Sequence, residues 1–338
     1  MSYKKGEHDK ITGMKFIITI DTEGDNQWDH GRNLTVENIK YVDRFQILCE
    51  KYGIRPTYLV TSEVCEDSFA QQLFSDYVRE NKAEVGAHLH SWTTPPFLHD
   101  AGYRQNDENH IFASELSYEL VSGKIKNLTE QITRAFGRVP TSFRSGRYGF
   151  NETVAGVLIE NKYLVDSSVT PFVSWTGHHG LPSGKGGPDF IDSSILPEKF
   201  EYNSGSLIEI PITILPTITP LNRSHNFARY YFRNVNNNVF LKVLRKLFYA
   251  SQPVWLRPTP DMTSELLANL VREAKRINLP YLTMMFHSSE LMPGCSKYRP
   301  DEQSVEDLYS LLTSFFNAIE SLGIESITLT DAAKEWES

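Results

Sequence analysis

The sequence predicts an α/β fold in which a mainly parallel sheet is covered by helices. Two observations carry that prediction. Short, nearly all-apolar runs alternate with stretches of helical period over most of the 338 residues, as expected for strands buried on both faces with helices packed across them. Polar residues capable of chemistry stand repeatedly where those runs end, and in a parallel α/β fold such positions converge on one rim. Periodicity alone does not separate an open sheet from a barrel.

A first strand is expected over residues 14–20 (MKFIITI). A helix follows over 36–52, with Val36, Ile39, Val42 and Phe45 on one face and Gly53 as its cap. A strand at 56–60, a helix at 67–81 and a strand at 84–88 come next. Val121, Ile125, Leu128 and Ile132 recur at helical spacing up to Gly137, ahead of a strand near 142–144, a helix near 152–160 and a strand at 163–166. Strands at 207–212 and 281–287 (YLTMMFH) enclose a helix at 262–277. Val305, Leu308, Leu312, Phe315 and Ile319 mark a last long helix, and 326–329 a last short strand. Two regions break the rhythm: 170–192, rich in Gly, Pro and His, and 213–238, rich in Asn and Arg. They read as insertions into a single domain over 14–338, behind a leader at 1–13, and each is long enough to form a lid.

Composition excludes several classes. With 40% hydrophobic and 22% charged residues the chain can build a full core. A net charge of −8 leaves no basic footprint for nucleic acid. Cys49, Cys65 and Cys295 are odd in number and widely spaced, which argues against a disulfide framework or a zinc–cysteine cluster and fits a reducing compartment. The leader has no apolar stretch behind it to act as a signal peptide, and no apolar run is long enough to cross a bilayer. A cytoplasmic protein is expected; the oligomeric state is not legible.

Five segments carry the chemistry. In TIDTEGD, Asp21, Glu23 and Asp25 alternate, so extended backbone points them the same way; carboxylates so placed repel unless a cation or a shared proton relieves them, although an acidic turn in water reads as well from this segment alone. In GAHLHSW, His88 and His90 are also two apart. Two histidines and one carboxylate meet the ligand count of a zinc-type site with an open water position. In FRSGRYGF, Arg144 and Arg147 flank a glycine, and an arginine at a buried rim holds a carboxylate ionised or meets a substrate oxygen. Asp166 in VDSSV is suited to pair with one of these arginines or to orient a histidine. His287 ends an apolar strand, a position for a general acid. Trp92, Tyr148, Trp175 and Trp255 are candidates to stack on sugar faces, with plain core packing the alternative for each ring.

Taken in order, these segments resemble the five motifs of the polysaccharide deacetylases, carbohydrate esterase family four, across nearly the whole chain. The resemblance implies a distorted (β/α) barrel of about seven parallel strands, a divalent metal such as zinc, and hydrolysis of N-acetyl groups on amino sugars in a glycan or glycan precursor. It implies Asp21 as catalytic base, Glu23 and His88 as metal ligands, Arg144 as the residue orienting the base, Asp166 as the fourth-motif aspartate and His287 as general acid. Trp92, Arg147, Tyr148 and Trp255 are then expected to meet substrate. The family's second metal histidine lies four residues beyond the first, where this chain has Trp92, so His90 is the candidate third ligand. The third motif lacks the usual proline and no tryptophan adjoins Asp166. Such departures are those of a divergent branch acting on a particular glycan precursor. A decayed, sugar-binding relative and a deformylase or amidase of non-sugar substrates are the alternatives that sequence leaves open.

Overall fold

The structure is a computed structural model, and it describes residues 13–25, 27, 34–97, 112–178, 180, 186–202, 204–218, 221–248 and 252–338. The leader expected at 1–13 lies outside these apart from Gly13, as do parts of both insertions.

Ten strands are present among the described residues: β1 (Lys15–Thr22), β2 (Thr57–Val60), β3 (Glu84–Leu89), β4 (Ser142–Ser145), β5 (Val165–Asp166), β6 (Glu198–Tyr202), β7 (Gly205–Glu209), β8 (Ile214–Leu215), β9 (Val254–Trp255) and β10 (Tyr281–His287). The helices are α1 (Val42–Lys51), α2 (Ser62–Glu66), α3 (Ser68–Arg79), α4 (Tyr118–Phe136), α5 (Glu152–Glu160), α6 (His225–Asn234), α7 (Val239–Phe248), α8 (Ser264–Arg276), α9 (Glu302–Ser321) and α10 (Leu329–Glu337). Eight strands form one sheet in the order β10-β1-β2-β3-β4-β5-β7-β6. All neighbours are parallel except the edge pair β6–β7. Seven parallel strands therefore stand as expected, curled into a half-barrel.

Irregular backbone bridges the gap between β7 and β10. Thr213 N donates to Thr283 O at 3.1 Å, and Leu256 N to Thr213 O at 2.8 Å. Thr283 N donates in return to Thr213 Oγ1 at 2.8 Å. The strand expected at 207–212 ends at Glu209 for this reason: the chain leaves β7 to make these bonds.

Local chemistry sets the helix ends. Asp67 caps α3 by accepting from Ala70 N at 2.8 Å, and Gly137 closes α4 at φ 73°, each at the residue type such ends favour. The helix expected from residue 36 opens instead as a 3₁₀ turn over Glu37–Tyr41, because the Asp25 carboxylate accepts from both Glu37 N and Asn38 N. The short strand expected at 326–329 is not one. Ser326 makes a single bridge to Phe16, and Thr328 caps α10 by accepting from Asp331 N at 3.3 Å. A four-residue apolar–polar alternation fits both a strand and a helix entry, and the cap decides.

One apolar core runs under the helices. Phe16 of β1 meets Phe315 and Phe316 of α9 at centroid distances of 5.5 and 6.0 Å. Met284, Met285 and Phe286 of β10 are fully buried, and side chains of this size contribute about 1.5–3 kcal/mol each on burial. A second cluster joins β1, β5 and β7 to α10. A third, around Phe172, Leu221, Tyr231 and Leu241, holds α6 and α7 on the 170–192 segment.

Candidate active site

The C-terminal ends of β1, β3, β4 and β10 meet at one cleft of about 930 Å³. Register explains why. Asp21 pairs with His287 across β1–β10, and His88 pairs with Arg144 across β3–β4. Segments more than 260 residues apart in the chain are thus adjacent on the rim.

Asp21 and Arg144 form a buried pair. Arg144 Nη1 donates to Asp21 Oδ1 at 2.6 Å, while its Nε and Nη2 donate to Ser167 O at 2.7 Å and Ser167 Oγ at 3.0 Å. The guanidinium is spent on fixing one oxygen of Asp21. Burial would raise the Asp21 carboxyl's proton affinity, but Arg144, His88 and His287 offset this and its pKa lies below the ordinary value. Asp21 is thus a carboxylate with one oxygen held and the other, Oδ2, 3.9 Å from His88 Nε2.

Glu23, His88 and His90 form the only group among the described residues whose ligand atoms all lie within 4.8 Å of one another. His90 Nε2 is 3.1 Å and His88 Nε2 3.7 Å from Glu23 Oε2, and the two Nε2 atoms are 3.0 Å apart. His88 Nδ1 donates to Arg144 O at 3.0 Å, which fixes its tautomer and turns the Nε2 lone pair inward. Both Glu23 carboxylate oxygens are buried, and among the described residues only the two imidazoles beside Oε2 approach them. Burial raises the Glu23 pKa, yet the surrounding histidines more than reverse that and hold it ionised. Burial alone would likewise lower His88, but Asp21 and Glu23 pull it above its ordinary value. Two anions, two imidazoles and buried carboxylate oxygens make a pocket that favours positive charge, and the donor set fits a zinc-type divalent ion.

Two residues shape this floor from behind. Trp92, expected against substrate, is 4% exposed. Its ring lies on His90 at 4.4 Å, and its Nε1 donates to Gln27 Oε1 at 3.0 Å. It backs His90 instead of facing the cleft. Gly146 is required by the approach of His90, because a Cβ there would overlap the imidazole and stand 2.7 Å from Leu89 O. The buried Lys124 ammonium donates to Ser91 O at 2.8 Å and Thr94 O at 2.6 Å, clamping the turn after His90; burial lowers its pKa to about 8.

On the other side His287 Nδ1 faces Arg257 Nη2 at 3.0 Å and Glu290 Oε1 at 3.2 Å. Glu290 also accepts from Arg257 at 2.8 Å and from His287 N at 3.2 Å. Burial would push the Glu290 carboxyl up, but Arg257 and then His287 bring it down to about 2. The His287 ring is thus held at Nδ1 by the Arg257–Glu290 pair. Neither Arg257 nor Glu290 was singled out in the sequence, although Glu290, three residues past His287, lay within reach of a turn-spacing argument.

Asp166 corrects the expectation that it would pair with one of the arginines or orient a histidine. It accepts from Ser168 N at 3.0 Å and Ser168 Oγ at 2.8 Å, and stands beside Glu209 across β5–β7. Burial raises both carboxyls, Glu209 the more strongly because the neighbouring Asp166 charge adds to it. Asp166 does not line the cleft among the described residues. Asp25, the third acid of the first motif, is engaged as the turn acceptor described above.

Arg147, Tyr148, Trp175, His178, Lys297 and Tyr298 line the cleft walls. Arg147 and Tyr148 both have positive φ, 52° and 61°, a strained pair of the kind found at ligand sites. Arg147 lies over the Phe112 ring at 4.0 Å. Trp175, from the 170–192 segment, stacks on Tyr148 at 5.1 Å. Trp255 packs behind both, 6.0 Å from Tyr148 and 6.4 Å from Trp175, and supports the aromatic wall without lining the cleft.

No protein-family model and no curated protein matches the sequence. Solved structures do match. A Mycobacterium smegmatis protein assigned as a polysaccharide deacetylase aligns with a TM-score of 0.59 at 12% identity, covering 99% of this chain and 94% of that one. The PuuE allantoinase aligns with a TM-score of 0.50 at 13% identity, covering 96% and 89%. Identities this low speak to architecture, and on that architecture the chain has the polysaccharide deacetylase fold.

Proposed function

We propose that this protein is a metal-assisted hydrolase that removes an N-acetyl or other small acyl group from an amino sugar. The observation that carries the reading is the convergence, on one cleft, of an arginine-held base, a Glu–His–His donor set and a carboxylate-backed histidine. Glu23, His88 and His90 are the residues that would hold the ion, zinc by the donor set. When bound, such an ion polarises an acyl carbonyl and acidifies water. Asp21, kept ionised by Arg144, takes the proton from the attacking water. His287 returns a proton from Nε2 to the leaving nitrogen, which is a poor leaving group as an amide anion, while Glu290 supports the imidazolium. Tyr148 and Trp175 offer a flat apolar wall for a sugar face, and Arg147 a donor for its oxygens.

The test joins metal analysis to acetate release from a panel of N-acetylated amino sugars. Stoichiometric divalent metal and acetate release by the wild type, with Glu23→Gln losing both, are expected. A wild type that binds no divalent ion and releases no acetate overturns the reading. The allantoinase, whose name places it on allantoin, shares the fold and favours a second reading, hydrolysis of a non-sugar amide by the same residues. Turnover of simple N-acyl amides in preference to sugars selects it.

A further inference from the structure

We infer that Gln27 and Glu63, neither of which belongs to the five motifs, are positioning residues for the ligand His90 and act on it through Trp92. The inference rests on the reading of Glu23, His88 and His90 as the ion site. A ligating imidazole is normally oriented by donating its second ring N–H to an oxygen. His88 follows that rule, with Nδ1 on Arg144 O at 3.0 Å. His90 does not: its Nδ1 is buried and has no hydrogen-bond partner among the described residues. Contact holds this ring instead. Trp92 lies along it, with 4.4 Å between centroids and 30° between planes, and the Gly146 backbone comes close to its Cδ2–Nε2 edge.

A ring fixes its neighbour only if it is itself fixed. Trp92 Nε1 donates to Gln27 Oε1 at 3.0 Å, and Gln27 Nε2 donates to Glu63 Oε1. The same Glu63 oxygen accepts from Gly24 N at 3.2 Å, and Gly24 directly follows Glu23. One carboxyl on α2 therefore ties the backbone beside one ligand to the ring behind another. Trp92, Gln27 and Glu63 are 4%, 3% and 8% exposed. Each bond in the chain is thus enforced by the cost of leaving a buried polar group unpaired. A glutamine suits the middle position, because its amide accepts from the indole and donates to the carboxyl at once.

Zinc affinity by chelator competition, the visible absorbance of the cobalt-loaded protein and urea unfolding test it, with far-UV circular dichroism to verify that each variant folds. Trp92→Leu removes the ring behind His90; it should weaken zinc binding by roughly 10–100-fold and change the cobalt spectrum. Gln27→Leu and Trp92→Phe each break the indole–amide bond and should each weaken zinc binding by about tenfold. The double variant should lose no more than about tenfold, since both changes remove the same bond. Glu63→Leu should weaken binding likewise, while Glu63→Gln, whose amide oxygen accepts the same two N–H groups, should retain it. Tyr77→Phe, which loses a bond to Asp43 at 2.8 Å between α3 and α1, should lower stability without moving the affinity. Unchanged affinity in Gln27→Leu and Trp92→Phe, losses that multiply in the double variant, equal losses in Glu63→Leu and Glu63→Gln, or equal weakening by Tyr77→Phe would each overturn the inference and leave the ion site standing. A wild type that binds no divalent ion overturns both.

Discussion

Asp21 and Asp166 make an instructive pair. Both are aspartates at the C-terminal ends of parallel strands, both are buried, and both follow an apolar run in the sequence. Asp21 meets a guanidinium and is held ionised at the mouth of a cleft. Asp166 meets a second carboxyl away from the cleft, and the pKa of each is raised. Position on the rim is common to the two; the partner each carboxylate meets decides whether the group can act as a base.

Variants can break or sharpen that contrast. The largest effect is expected from Glu23→Gln or His88→Ala, which should abolish stoichiometric metal binding and turnover together, as read by metal analysis and acetate release. Asp21→Asn should keep the metal and lower kcat by a factor on the order of 10²–10³; near-normal kcat would remove Asp21 from its role. Glu290→Gln keeps the size of the side chain but takes away the charge behind His287, so kcat should fall on the order of tenfold with KM unchanged, and an unchanged kcat would leave Glu290 a purely structural partner of Arg257. Asp166→Asn should change kcat within about twofold while costing about 1–3 kcal/mol of stability in urea unfolding, the loss expected of a disturbed buried hydrogen-bonded group. A large drop in kcat with metal and stability intact would return Asp166 to the catalytic set.

The smallest effect depends on pH. The Glu209 pKa is raised above its ordinary value of 4.5, so the folded protein binds a proton that the unfolded chain gives up. The stability linked to this group is fully present below about 4.5 and is lost progressively as pH rises towards the raised value. Glu209→Gln removes the titration. Its urea midpoint relative to wild type should therefore climb as pH rises above the ordinary value of 4.5, and a pH-independent difference would show that Glu209 is ionised in the fold. Glu290 runs the other way: with its pKa lowered to about 2, it contributes stability above the usual carboxylate range that fades as pH falls through that value.

The sequence was most legible where periodicity was long. Helices α3, α4, α5, α8 and α9 and strands β1, β3 and β10 lie within a few residues of their expected places, because ten or more residues of one period, or an unbroken apolar run, leave little ambiguity. It was least legible in short elements such as β8, β9 and α10, whose pairing or capping partners lie far off in the chain. The aromatic residues divide the same way. Sequence named Trp92, Tyr148, Trp175 and Trp255 as equivalent sugar candidates, yet only Tyr148 and Trp175 line the cleft. Ring type carries no direction, and side-chain direction follows from backbone bends such as the left-handed Arg147–Tyr148 pair.

By itself the sequence determined the alternating α/β architecture and the strand ends at which Asp21, Glu23, His88, His90, Arg144 and His287 gather, because strand period and apolar run length are local properties. Only the tertiary structure decided which of those groups touch. That Glu23 joins both histidines, that Arg257 reaches His287 and that Asp166 meets Glu209 depends on segments distant in sequence, while Trp92 on His90 and Glu290 on His287 are set by the turns that follow β3 and β10. Charge state follows contact at a few ångströms, and such contacts do not exist until the sheet has formed.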